Sequence, residues 1–137
     1  MQVISPNWTT VRLFLHVLAA CVWVGGQLTL GGLVPVLRSI SPQAPRIVAR
    51  QFNRIAWPAF AVLIATGLWN LLVVNVSDRP TSYLVTLFVK LLIVAVSGIS
   101  AAAHAGAKTK LTLALGGALA GLSGLAALFL GILLRTG

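Results

Sequence analysis

The chain has 137 residues, 58% of them hydrophobic and only 8% charged, with a mean hydropathy of +1.00. Soluble domains carry about 25% charged residues, so this composition excludes an ordinary water-solvated domain and makes lipid the main solvent. Ten Lys and Arg against one acid, Asp78, give a charge of +9, but the basic residues sit in short connectors between apolar runs rather than on one soluble face, which excludes nucleic acid as a partner. Cys21 is the only cysteine, so no internal disulfide is possible and the redox compartment cannot be read from it.

The expected fold class is all-α: an integral membrane four-helix bundle forming a single domain over 1–137. Four segments reach the roughly 20 apolar residues that a spanning helix needs. They lie at about 11–37, 55–76, 82–105 and 111–134. Period-2 alternation is absent, and a backbone in hydrocarbon must pair its polar groups internally, so these spans are helices. The first run is longer than a signal-peptide core and no small-residue cleavage pattern follows it, so it is expected to remain.

Trp8 precedes the first span and suits the headgroup region. The span opens at Val11 and Pro35 should limit its far end. Gly25, Gly26, Gly31 and Gly32 lie in its second half, where small residues allow either close helix approach or a local bend. In the connector that follows, Ser41 reads as an N-cap and Pro42 as the first residue of helix two. Arg46, Arg50 and Arg54 recur at intervals of four, which makes one basic stripe suited to anionic headgroups. Pro58 can kink the helix where it enters the membrane. Helix four has no ionisable group in its interior but carries Gly117, Gly121 and Gly124 with Ala120, Ala127 and Gly131. That small-residue face suits packing within the bundle, with a homo-oligomer or a membrane-complex partner as its other use.

Orientation follows from counting. Arg38, Arg46, Arg50, Arg54, Lys108 and Lys110 lie on one side, and Arg12, Arg79 and Arg135 with Asp78 on the other. The richer side belongs in the cytoplasm. Both termini are then expected outside, in a multi-pass protein of a bacterial inner membrane.

Two ionisable groups stand inside apolar spans: His16 in the first and Lys90 in the third. Such groups are costly in hydrocarbon and mark functional sites unless they are satisfied by a neighbour. Both are expected in the outer half, separated in depth by about 7 Å at the rise of a helix. His16, Ala19, Trp23, Gly26 or Gln27 and Leu30 share one helical stripe; Lys90, Val94, Ser97, Ala101 and His104 share another. His104, near the inner end of its helix, is too deep to ligate the same iron as His16. The bland readings are a His16 hydrogen-bonded to a nearby carbonyl, a Lys90 that snorkels, and Trp23 and Trp57 as packing residues.

A copper relay wants soft ligands together with imidazole. Met1, His16, Cys21 and His104 are scattered in depth, so His16, Cys21 and His104 form only an alternative copper set. A haem needs one or two axial ligands and a greasy slot. His16 can supply one ligand; Lys90 is a second ligand if neutral, or a propionate partner if charged. No nucleophile triad, phosphate loop or carboxylate pair is present, which argues against hydrolysis and phosphoryl transfer.

The segment HVLAACVWVGGQLTLGGLVPVLR resembles the first helix of the copper resistance D (CopD) domain, with its His, W-x-G-G and late Pro. RQFNRIAWPAFAVLIATGLWN is similar to the second helix, which runs from a basic start to a Thr-Gly, and YLVTLFVKLLIVAVSGISAAAH to the third, with its L-x-x-K-L character. The resemblance covers roughly residues 10–108. In the CopD branch it implies copper uptake or export. In the HemJ-like branch it implies a small membrane protein that binds haem b and is linked to protoporphyrinogen oxidation, with His16 and Lys90 at the key positions. The leading expectation is haem b held by His16 and Lys90, with Trp23 in the cofactor-binding set, in a redox or haem-related role. The alternatives are a copper-handling protein and a non-catalytic accessory subunit of a larger membrane complex.

Overall fold

The computed structural model describes residues 4–137. Among them there is no strand. The elements are α1 (Trp8–Ala20), a π-helical turn (Cys21–Gly25), α2 (Gly26–Ile40), α3 (Ala44–Val73), a short 3-10 turn (Val76–Asp78), α4 (Thr81–Ala105) and α5 (Lys110–Thr136). Since α1, the π turn and α2 run on as one helical segment, Trp8–Ile40, the described chain has four helices long and apolar enough to cross a membrane. They fall where the hydropathy places them.

The residue sizes invert the rule for soluble proteins. The buried positions are mostly small, including Ala19, Ala56, Thr66, Ser97, Gly98, Ser100, Ala120 and Ala127. Large apolar side chains such as Phe14, Leu68, Leu72, Phe88, Ile99, Leu122 and Phe129 stand more than half exposed. Hydrocarbon solvates Leu as well as a protein core does, so helices associate through close backbone approach and leave bulky side chains to lipid.

The chain divides into two compact units, the first ending at Asn75 and the second Val76–Gly137. In the first unit α3 runs antiparallel along α1, the π turn and α2. Asn7 caps α1: its side chain accepts from the Thr10 N–H at 2.9 Å while the Thr10 hydroxyl accepts from the Asn7 N–H at 3.4 Å. Pro35 does not limit the helix, which continues to Ile40. Proline forfeits one backbone bond, whereas ending a helix in hydrocarbon would expose several unpaired groups. Pro58 likewise lies inside an unbroken α3. Ser41 is extended and its hydroxyl accepts from the Gln43 N–H at 3.2 Å, as a cap would. The regular helix then starts at Ala44, two residues later than Pro42.

Of the four glycines in the first span, only Gly26 is closely approached; a methyl there would run into the Phe52 ring, while Gly25, Gly31 and Gly32 face open space. The irregularity is the π turn, which ends at Gly25, the first of them. A π turn takes in an extra residue, and two consecutive residues, Trp23 and Val24, are both buried there.

In the second unit α4 and α5 form an antiparallel pair. Thr109 caps α5 by accepting from the Thr112 N–H at 3.1 Å. The buried face of α5 carries Gly116, Ala120, Gly124 and Ala127. Ser97 donates from Oγ to the Ala120 carbonyl at 3.1 Å. The small-residue face of helix four is therefore used within its own unit.

Candidate functional site

The first unit carries two polar rungs between α1 and α3. On the inner rung, His16 Nδ1 lies 2.8 Å from Thr66 Oγ1. Thr66 is buried, and its hydroxyl donates to the Val62 carbonyl at 2.7 Å. A hydroxyl has one hydrogen to give; with that hydrogen on the Val62 carbonyl, Thr66 accepts from the ring and His16 donates through Nδ1–H. The lone pair then belongs to Nε2. His16 Cε1 also lies 3.7 Å from where a Gly67 Cβ would stand. The Thr-Gly step in α3 is thus a seat: Thr66 holds one edge of the imidazole and the ring packs over Gly67, where a Cβ would be in ordinary contact.

On the outer rung, one helical turn away, Arg12 packs against Trp69. Its guanidinium carbon is 5.9 Å from the indole centroid, within the range of a cation–π contact. Trp8 joins Trp69 at 6.5 Å between centroids. Arg12 is only 6% exposed, and its Nε has no hydrogen-bond partner among the described residues. The sequence count groups Arg12 with Arg79 and Arg135 as an outer-side charge; those two are exposed and Arg12 is not.

Trp23 is buried two turns further along the chain from His16. It lies 4.3 Å from Phe60 and 5.4 Å from Trp57 between ring centroids, and Trp57 meets Phe60 at 5.9 Å and 84°. Such tilted and edge-on pairs are favoured over flat sandwiches. Both tryptophans contribute to a packed aromatic cluster.

Lys90 belongs to the second unit and is half-buried. Its Nζ lies 3.0 Å from where a Gly131 Cβ would stand. The helix register shows where that places the amine. His104 packs on Gly116, and from there to Lys90 is fourteen residues back along α4, while Gly131 is fifteen forward along α5. The amine therefore stays near the level of its own Cα, in the gap left by a missing side chain, and does not climb along the helix. Val94, Ser97, Ala101 and His104 are buried or half-buried on the same face, as the stripe predicts.

His104 is a structural clamp. Its Nδ1 donates to the Leu113 carbonyl at 2.7 Å, and its ring lies 3.0 Å from where a Gly117 Cβ would be. Cys21 is exposed, and Met1 lies outside the described residues. No group of three or more His, Cys, Asp or Glu that could hold a metal ion forms among the described residues.

Sequence reasoning located His16 but not Thr66 or Arg12 as its neighbours. Thr66 could have been found as a lone hydroxyl in the middle of an apolar span; the burial of Arg12 depends on the pairing of α1 with α3. Compared with family models, curated proteins and solved structures, the chain gives no match.

Proposed function

We propose that the chain is a multi-pass membrane protein that binds haem b through His16 and serves a redox or haem-related role. The supporting observation is the His16–Thr66 pair. A histidine that ligates a metal almost always has its other nitrogen fixed by an acceptor, which sets the tautomer and the ring plane. Thr66 supplies that acceptor at Nδ1 and directs the lone pair to Nε2. A bare metal ion would need several protein ligands, whereas a haem brings four nitrogens and asks the protein for one or two more. A lone, oriented imidazole in an apolar helix pair fits that requirement. Bound haem supplies one-electron chemistry; the chain's own part is to hold the ring of His16, keep water away with lipid-facing Leu, Val and Phe, and bury the aromatic cluster around Trp23.

The resemblance to HemJ-like proteins points to the same chemistry, with Lys90 as the second residue of interest. The reading also includes a bacterial inner membrane, both termini outside, and the exposed stripe of Arg46, Arg50 and Arg54 against anionic headgroups. The test is an absorption spectrum of the full chain expressed with ample haem. A Soret band that is lost in His16→Ala is expected. A colourless wild type, or a band indifferent to His16, overturns the reading.

A further inference from the structure

The outer rung of the first unit holds a buried arginine that finds no carboxylate within its own unit. Arg12 is only 6% exposed, its Nε has no acceptor among the described residues, and its guanidinium carbon lies over the Trp69 ring at 5.9 Å. Residues 4–75 contain no Asp or Glu, so the first unit itself offers no carboxylate. A buried guanidinium without an anionic partner is costly. Arg12 precedes His16 by four residues in a regular α-helix; the two share one face and lie about 6 Å apart along the axis. Their partners on α3, Trp69 and Thr66, are three residues apart and share a face as well. One helix pair thus presents, on adjacent turns, an imidazole held by Thr66 and a buried arginine whose Nε lacks an acceptor among the described residues.

We infer that Arg12 is the anion-receiving half of the His16 site and binds a carboxylate of the ligand. The inference rests on the haem reading and deepens it. The ligand class is a metallated tetrapyrrole with free propionates, held with its carboxylate edge towards the N-terminal end of α1. Arg suits this role because its planar fork matches a carboxylate and is always charged. Trp69, itself against Trp8, packs beside the fork at the end of the helix pair. Arg12 is a positioning residue: it selects and orients the ligand while His16 meets the metal.

The test compares haem with haem dimethyl ester, in which both propionates are blocked, using the full chain in phosphatidylcholine nanodiscs. Soret titrations are run on wild type, Arg12→Gln and Arg12→Lys. A charge-assisted bond to a carboxylate corresponds to roughly a tenfold to hundredfold difference in affinity. Wild type should prefer haem over the ester by about that factor, Arg12→Gln should lose the preference, and Arg12→Lys should keep part of it. The greater apolarity of the ester acts on all three proteins alike and cancels in the comparison. Equal binding of both porphyrins by wild type overturns the inference and leaves the haem reading intact, even if a variant fails to fold. No Soret band with either porphyrin overturns the haem reading and this inference with it. A third outcome assigns Arg12 to a lipid phosphate and overturns the propionate role. There, phosphatidylglycerol without haem stabilises wild type but not Arg12→Gln, and no preference for haem over ester is seen.

Discussion

At the scale of single residues, the distinctive feature is how His16 is satisfied. An imidazole in hydrocarbon could bond a helix carbonyl and be structurally inert. Here its partner is a hydroxyl that can give its own proton to the Val62 carbonyl, and in that arrangement Thr66 accepts and His16 donates. Thr66→Val keeps the shape and removes the acceptor. The buried Nδ1–H then loses its partner at a cost of about 1–3 kcal/mol. Haem affinity should fall by roughly tenfold to a hundredfold, the usual effect of removing a metal-histidine's outer partner. Thermal unfolding of the apo protein and Soret titration measure the two effects separately. Thr66→Ser should retain both. A Thr66→Val protein with unchanged haem affinity would mean that the hydroxyl does not tune the ring.

At the scale of elements, the helices are held together by what is missing from them. Gly116 sits where a methyl would come within 3.0 Å of the His104 backbone nitrogen and Cα, which cannot move without shifting α4. At Gly131 the atom met at the same distance is the far end of Lys90, which can swing away. At Gly121 there is nothing within 4 Å. Alanine is favoured over glycine in a helix by up to about 1 kcal/mol, and overpacking costs about 1–3 kcal/mol. The order of thermal stability should therefore be Gly121→Ala at or above wild type, Gly131→Ala near it, and Gly116→Ala clearly below. Equal Tm values for Gly116→Ala and Gly121→Ala would contradict the close approach of α4 and α5. The same geometry bears on Gly117, Gly121 and Gly124 as an oligomer seam. The His104 ring already covers Gly117, and Gly124 is buried, so Gly121 is the member with free space.

At the scale of the whole molecule, charge placement makes a prediction that the helices alone do not. The connectors at Arg38–Arg54 and Lys108–Lys110 are exposed and basic, and the proposed topology puts them in the cytoplasm. Starting from a Cys21→Ser background, Arg135→Cys should react with a membrane-impermeant maleimide on intact spheroplasts. Arg46→Cys should react only after permeabilisation. The opposite pattern would invert the topology. It would also move the Arg12–His16 end of the first unit to the cytoplasmic side, without altering the chemistry of either residue.

Much of this architecture is legible in the sequence because hydrocarbon imposes strict rules. Length, apolarity and the need to pair every backbone group are enough to define four helices and to put His16 and Lys90 inside them. Helical periodicity further identifies the faces that turn inward, as the burial of Ala19, Trp23 and Ser97 bears out. It does not say which residue of one helix meets which residue of another. A shift of one turn between α1 and α3 would give His16 a different partner, and nothing in either segment alone specifies that shift. The pairing of His16 with Thr66, the burial of Arg12 under Trp69, the π turn at Cys21–Gly25 and the lysine amine lodged over Gly131 are consequences of packing. They were decided by where small residues let two backbones come close, which is a property of helix pairs rather than of any one stretch of chain.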